Sequence, residues 1–458
     1  MAKHDLAVIG SGPGGYEAAL RAVQLGKKVC VVERTALGGV CVNRGCIPTK
    51  ALTHSADVCT LVRHGGDIGI QAGEPTIDFA KVQANKDAVV EKLRRGIAGT
   101  FKRLGIDVLM GEGRLADRKK VAVKLNGGGE ETIEADKIIL AAGSNPARPS
   151  WIPFDGERII TSDEALRLGK LPASVFILGG GYIGCEFASI FAQLGVPVTV
   201  VEMLDGLLPN MDPEIGAEIT RALKKLKVKI SVKTRLEGIE AGASGVQAKL
   251  SDGKSVEAEL ALVCVGRTLL GDTLGLEAVG VKVDKGAIVI DEHCETSVAG
   301  IHAIGDVTGK MLLAHVATAQ GRVAAEHAAG MGSRIDYGCV PAAVFTSPEA
   351  ATVGLTEAEA MKAGYKPRSA KFQFAALGRA IAIGETAGFV KLVADEGTGQ
   401  VLGVHMAGAH ASDMIAEAAL AVALQATVKE LAHTIHAHPT LPEALMEAAR
   451  AWLGQVKT

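Results

Sequence analysis

One segment of this chain occurs twice, and the repeat constrains the fold more than any other feature. Residues 10–33 read GSGPGGYEAALRAVQLGKKVCVVE and residues 179–202 read GGGYIGCEFASIFAQLGVPVTVVE, a gapless match at an offset of 169 residues with twelve of 24 positions identical. Each copy follows a short apolar run, Leu6 to Ile9 or Val175 to Leu178, and leads through a helix-like stretch into a second apolar run ending on an acid. Strand, glycine turn, helix, strand, acid is the pattern of a dinucleotide-binding unit. Gly10 and Gly179 permit the tight turn, Gly12 and Gly181 let the backbone approach a pyrophosphate, and Gly15 and Gly184 allow close helix–strand packing. The phosphates would then sit at a helix N-terminus, where free N–H groups and the dipole favour anions. Glu33 and Glu202, each 23 residues after its first glycine, are placed to bind ribose hydroxyls. A single such motif is equally well a glycine-rich turn; two in matching context predict two bound dinucleotides.

Composition narrows the class. At roughly 150 residues per domain, 458 residues predict about three domains. Forty-nine Lys and Arg against 51 Asp and Glu leave a net charge of −2, which argues against a nucleic-acid protein or a polybasic membrane anchor. No apolar run reaches the roughly 18 residues of a spanning helix, and the apolar part of the N-terminus is too short for a signal peptide. The expectation is a soluble cytoplasmic protein. Eight cysteines in a long chain without a secretion signal disfavour structural disulfides. Six of them, Cys30, Cys59, Cys185, Cys264, Cys294 and Cys339, read as small core hydrophobes.

Cys41 and Cys46 differ. They lie in GGVCVNRGCIPTK at 38–50, and no second Cys or His pair completes a zinc set. In a regular helix Cα atoms five apart are separated by about 8.6 Å, while a disulfide needs less than about 7 Å. A bridge therefore requires a distorted segment, which Gly45 permits. Two unrelated buried thiols are the bland alternative; a redox-active pair is favoured beside a dinucleotide site. A thiol pair cannot accept hydride directly from a nicotinamide, so a carrier is required, and FAD is the natural occupant of the first turn. At the second turn Glu202 would repel a 2′-phosphate, and Met203-Leu204-Asp205 offers no arginine, which favours NAD over NADP.

The segment GGVCVNRGCIPTK resembles the active-site segment of the pyridine nucleotide–disulfide oxidoreductases, and the resemblance runs from residue 5 to about residue 450. It includes AAGS at 141–144, GGGYIGCE at 179–186, AIGDV at 303–307, MLLAH at 311–315, FTSPEAATVGLTEAEA at 345–360 and HAHPTLPEA at 436–444. Thiol attack on a disulfide needs a base of near-neutral pKa, and the C-terminal segment offers His436 and His438. The residues alone do not choose between them, and Thr440 with Glu443 also reads as a capping box. The resemblance implies His438 as acid–base, oriented by Glu443 and acting on the disulfide of a second subunit in an obligate homodimer. It further implies Cys41 as the exchanging thiol, Cys46 as the thiol at the flavin, and Lys50 near the flavin ring paired with Glu186. Glu17 stands at the equivalent place in the first repeat, so a shared packing role is the other reading of Glu186. Lys50, Gly113, Gly143, Ser144, Asp306 and Ala314 join the FAD contacts by resemblance, and Gly266 joins the NAD contacts.

The implied architecture is α/β: an FAD domain at 1–145, an NAD domain at 146–267, a return to the FAD domain at 268–336 and an α+β dimerisation domain at 337–458. Gly127-Gly128-Gly129 reads as a hairpin turn and Ala411 to Leu424 as an interface helix. The implied reaction is oxidation of protein-bound dihydrolipoamide with reduction of NAD⁺, on lipoyl and subunit-binding domains of 2-oxoacid dehydrogenase complexes or the lipoyl carrier of glycine cleavage. Rivals are a glutathione- or mercuric-reductase type and a non-catalytic flavoprotein docking subunit. Glu202 without a following arginine, the lack of a further vicinal cysteine pair, and intact Cys41, Cys46, His438 and Glu443 argue against each in turn. Val40, Arg44, Ala142 and the GRTLLGDTL stretch at 266–274 depart from the common family pattern without removing a reacting group.

Overall fold

A computed structural model describes residues 3–455 and divides them into two compact units. The first comprises residues up to Ala51, Ala80–Arg148 and Gly266–Asp336. Its centre is the strand Lys3–Ile9, parallel to Val29–Glu33 on one side and Glu130–Leu140 on the other. Asp107–Asp117 extends the parallel sheet beyond Val29–Glu33, and Ile301–Ala303 extends it beyond Glu130–Leu140. Both faces of such a sheet are covered, so Val29–Glu33 is buried at every position. The helix Pro13–Gln24 packs on Ala314–Ala328 with backbones almost touching: a Cβ on Gly321 would stand 2.3 Å from the Gly14 carbonyl oxygen. Beyond the parallel region, Asp107–Asp117 and Glu130–Leu140 pair antiparallel with Lys120–Leu125. The hairpin between the last two turns on Gly128 (φ +93°) and Gly129 (φ +87°), where only glycine is unstrained.

The second unit comprises Leu52–Phe79, Pro149–Val265 and Tyr337–Thr458 up to the last described residue. Its parallel sheet runs Lys229–Ser231, Val198–Val201, Val175–Leu178, Leu260–Val263, Ile159–Ile160. A separate antiparallel meander, Leu236–Gly242, Gly245–Leu250 and Ser255–Ala258, lies in the chain between the strands Lys229–Ser231 and Leu260–Val263. The C-terminal part is a five-stranded antiparallel sheet in the order Ala342–Val344, Glu349–Gly354, Val401–Gly408, Phe389–Asp395, Pro367–Gln373. Helices Ala411–Ala423 and Glu443–Trp452 bury Met414, Ile415, Leu445 and Trp452 in the core of this part.

These groupings differ from the sequence-based segments, and the reasons are local. The C-terminal half of the helix Cys46–His64 falls in the second unit, where Asp57 accepts from the Gln193 amide (2.9 Å) and Arg63 donates to the Gln193 carbonyl. Lys391, 4% exposed, joins the NAD-type fold to the C-terminal sheet by bridging Asp212 (2.9 Å), Glu214 (2.9 Å) and Glu357 (2.8 Å). Burial opposes its charge, but three carboxylates outweigh burial and raise its pKa. Gly266 belongs with the first unit, because the strand Arg267–Leu269 that it opens pairs with Ser144–Pro146.

Candidate active site

The two glycine turns are built alike. Gly10 (φ +104°) and Gly179 (φ +109°) are left-handed, and a Cβ on either would lie 2.3 Å from a carbonyl oxygen, that of Ala141 or Cys264. A Cβ on Gly15 or Gly184 would lie 2.0 Å from the carbonyl oxygen of its own Gly10 or Gly179. Gly12 and Gly181 are different: a Cβ there meets nothing nearer than 3.9 Å at Gly12 and nothing within 4 Å at Gly181. The turn is therefore tight where the chain reverses and open where a pyrophosphate would lie. Both are also N-caps without a side-chain partner, whereas Thr161, Asp212, Thr356 and Thr427 cap their helices through side chains. Two helix N-termini are thus left to an anion.

The acids complete each cradle. Glu33, 5% exposed, accepts from the Ser11 amide (3.0 Å) and hydroxyl (2.7 Å) on one oxygen and from the Thr35 amide (2.8 Å) and hydroxyl (3.1 Å) on the other. Glu202, 7% exposed, accepts two amides among the described residues, Gly180 (2.6 Å) and Leu204 (2.8 Å). Its remaining lone pairs suit two ribose hydroxyls. Lys233, whose amide joins Leu204, pairs its ammonium with Asp205 (3.5 Å). Open glycine, uncapped helix and fixed acid fit FAD at the first turn and NAD at the second.

The remaining first-unit residues form one hydrogen-bonded group and several shape elements. Ser144 donates its hydroxyl to Asp306, and Arg267 donates to the Ser144 hydroxyl (2.6 Å) and carbonyl (2.8 Å) while lying 3.6 Å from the Asp306 carboxylate. Sequence reasoning missed Arg267 as a partner of this group; its only signal was its place beside Gly266. Gly143 (φ +74°) precedes Ser144, and its carbonyl accepts the Leu270 amide. Gly113 lies where a Cβ would press on Val32 and Ile9, and Ala314 opens the helix Ala314–Ala328.

The cysteines sit across a break between two helices, Gly39–Arg44 and Cys46–His64, with Gly45 between them. A Cβ on Gly45 would stand 3.0 Å from the Val40 carbonyl oxygen, so the turn that departs from the regular helix is tight at this position. Both cysteines are thiols in this structure, Cys41 half-buried and Cys46 exposed. A hydrogen bond to Cys46 and then burial push the Cys41 thiol pKa up, against the pull of the Lys50 ammonium. Asn43, also missed, fixes the loop by donating to the Leu37 (3.0 Å) and Gly39 (2.8 Å) carbonyls while accepting from Arg94 (2.8 Å). Arg44 donates to Asn145 (3.3 Å). Of the other cysteines, burial pushes Cys30, Cys264 and Cys294 up to about 12, as inert core thiols require.

The structure separates the two histidines. His436 is 6% exposed and has both ring nitrogens occupied, by Glu417 (3.0 Å) and the Thr434 carbonyl (2.9 Å). His438 is 78% exposed, its Nδ1 lies 2.9 Å from Glu443 Oε1, and its Nε2 has no partner among the described residues. A carboxylate on Nδ1 places the proton there and leaves Nε2 as a base. The capping box is half formed: Glu443 accepts the Thr440 amide (2.8 Å), but the Thr440 hydroxyl turns to the Ala437 carbonyl and the helix begins at Glu443. The Thr440 amide, against a smaller opposing effect of burial, and then the His438 ring hold the Glu443 carboxyl below its usual range. Glu186 is buried and accepts the Phe345 amide (3.0 Å).

The family model for pyridine nucleotide–disulphide oxidoreductases matches residues 4–321, and that for their dimerisation domain matches residues 340–449. The chain belongs to this family, and is an FAD- and NAD-linked disulfide oxidoreductase with a dimerisation domain. It is 43% identical to a dihydrolipoyl dehydrogenase of Bacillus subtilis (strain 168), over 98% of this chain and 96% of the relative. It is 44% identical to one of Thermus scotoductus, over 98% of both. Among solved structures, LpdA from Mycobacterium tuberculosis superposes with a TM-score of 0.92 at 31% identity, over 99% of this chain and all of that one. The HOCl-induced flavoprotein disulfide reductase RclA from Escherichia coli gives 0.89 at 29% identity, over 98% of this chain and all of that one.

Proposed function

We propose that this chain oxidises dihydrolipoamide to lipoamide and passes the two electrons to NAD⁺. The observation that carries the proposal is His438, whose free, exposed Nε2 is backed by Glu443 on Nδ1, in a chain that also holds the Cys41/Cys46 pair. Nε2 takes the proton of a substrate thiol, and the resulting thiolate attacks the Cys41 sulfur of the oxidised pair and releases Cys46 as thiolate. The second substrate thiol then attacks the mixed disulfide, which closes lipoamide and leaves a Cys41/Cys46 dithiol. FAD, when bound at the first turn, supplies the two-electron relay between this dithiol and NAD⁺. Glu202 selects NAD over NADP because its buried carboxylate faces the ribose edge and Lys233 is engaged by Asp205. Lys50 and Glu186 keep the roles at the flavin that the family resemblance implies.

The partners are a second copy of this chain and lipoyl-bearing domains of a 2-oxoacid dehydrogenase or glycine-cleavage system. The dimerisation domain supports the first, and it exposes Leu420, Leu424 and Ile435 at 60, 71 and 96%. No helix among the described residues is long and apolar enough to cross a membrane, consistent with work in the cytoplasm. FAD-loaded enzyme should reduce NAD⁺ with dihydrolipoamide, and His438→Ala should lower turnover by about 10²–10⁴-fold. Turnover confined to NADPH and glutathione, or untouched by Cys41→Ser, would overturn the proposal. Because Glu443 titrates below the usual carboxylate range, its contribution is complete above about pH 4.3. It disappears only as pH falls through the lowered value, so an acid limb between pH 5 and 7 must belong to another group.

A further inference from the structure

The first unit contains a cluster of imidazoles that neither nucleotide site uses. His302 lies on the strand Ile301–Ala303, fully buried, with Nε2 2.9 Å from Nδ1 of His327 near the end of the helix Ala314–Ala328. Glu295 faces His302 across an isolated antiparallel bridge. One ligand atom from each of Glu295, His302 and His327 lies within 4.8 Å of the others. His293 stacks on His327 with ring centroids 4.6 Å apart, and its own Nδ1 is held by the Ser333 carbonyl (2.7 Å).

The hydrogen bond to His327 satisfies only one edge of the buried His302 ring. Its Nδ1 is buried without a hydrogen-bond partner among the described residues, so in either tautomer one ring nitrogen is unsatisfied. Such a group costs about 1–3 kcal/mol, and an apolar side chain would fill the same place at the sheet edge without that cost. Two imidazoles and a carboxylate with ligand atoms within 4.8 Å of one another are instead the donor set of a borderline divalent metal. At metal–nitrogen distances near 2.05 Å, tetrahedral ligation through His302 Nε2 and His327 Nδ1 sets the two nitrogens about 3.3 Å apart, so the rings need part only slightly from their present hydrogen bond, and His302 Nδ1 carries the proton in the bound form.

We propose that Glu295, His302 and His327 form a binding site for a divalent cation of the Zn²⁺ class, with a water completing the ligand set. The site ties the strand that leads to Asp306 to the far end of the helix that Ala314 opens. Bound metal therefore braces the strand–loop–helix segment carrying both first-turn contacts.

The test uses FAD-loaded enzyme in the oxidised state, so that Cys41 and Cys46 are bridged and do not compete for metal. Calorimetric titration of the chelator-stripped protein with Zn²⁺ should show one site per chain, and the Co²⁺ derivative should have a nitrogen–oxygen ligand spectrum without sulfur charge transfer. His327→Gln should weaken binding by about 100-fold and Glu295→Gln by about tenfold, with NAD⁺ reduction in chelator unchanged. Zn²⁺ should also slow FAD release from wild type but not from His327→Gln. Glu295→Gln, on the more exposed side, decides the matter if His327→Gln folds poorly. Equal binding by wild type and both variants, sulfur ligation of Co²⁺, or no binding at millimolar Zn²⁺ would each overturn the proposal.

Discussion

The two glycine turns share one backbone and differ in how they are closed. Around the first, Glu33 takes four hydrogen bonds from Ser11 and Thr35, and the helix Gly39–Arg44 lies so close that a Cβ on Gly39 would be 2.5 Å from the Gly12 Cα. Around the second, Glu202 takes two among the described residues, a Cβ on Gly181 would meet nothing within 4 Å, and Tyr182, Met203 and Leu204 are 41, 65 and 44% exposed. A cradle closed over by a second helix suits a group that stays; an open cradle suits one that comes and goes each turnover. The same local sequence therefore fits a resident dinucleotide in one place and a visiting one in the other, and the difference lies in what packs over it.

Substitution can break this contrast, beginning with the largest effect. Gly10→Ala and Gly179→Ala meet the same obstruction at 2.3 Å and the same positive φ, so each should cost about 2–4 kcal/mol locally. Their consequences should diverge: Gly10→Ala purifies without FAD, whereas Gly179→Ala keeps its flavin and loses NAD⁺ reduction. Equal flavin loss in both, read from absorbance, would erase the distinction. Glu202→Ala comes next and should raise the KM for NAD⁺ by about 10–100-fold, the worth of one or two hydrogen bonds to a charged group, at unchanged FAD content. Met203→Arg should narrow the preference for NAD over NADP by a smaller factor, measured as the ratio of kcat/KM values. Ser11→Ala removes one of four donors to Glu33 and should weaken FAD binding by about 1 kcal/mol, with no change in the KM for NAD⁺.

Much of this was legible in the sequence because its cause is local. A glycine that must avoid a carbonyl oxygen, or an acid 23 residues along a strand–helix–strand unit, leaves its mark at fixed spacing. The break at Gly45 was legible too, since two cysteines five apart cannot meet in a regular helix. What stayed hidden depends on distant partners. His436 and His438 look alike until Glu417, 19 residues upstream, is seen to occupy the first. Arg267 reaches Ser144 across 123 positions, with no periodicity to announce it. The capping box at Thr440 was misleading for the same reason: Glu443 is shared with His438, and the Thr440 hydroxyl finds Ala437 instead.

The discontinuity of the first unit has a consequence for biosynthesis. All five strands of the parallel sheet behind the second glycine turn lie between Ile159 and Val263, so that sheet can close soon after Val263 leaves the ribosome. The sheet behind the first turn lacks its edge strand until Ala303 is made, and the helix that covers Pro13–Gln24 until Ala328. Although domains usually fold in order of emergence, here the earlier-translated nucleotide fold must wait for the later one, and a nascent chain holds an incomplete flavin cradle for most of its synthesis.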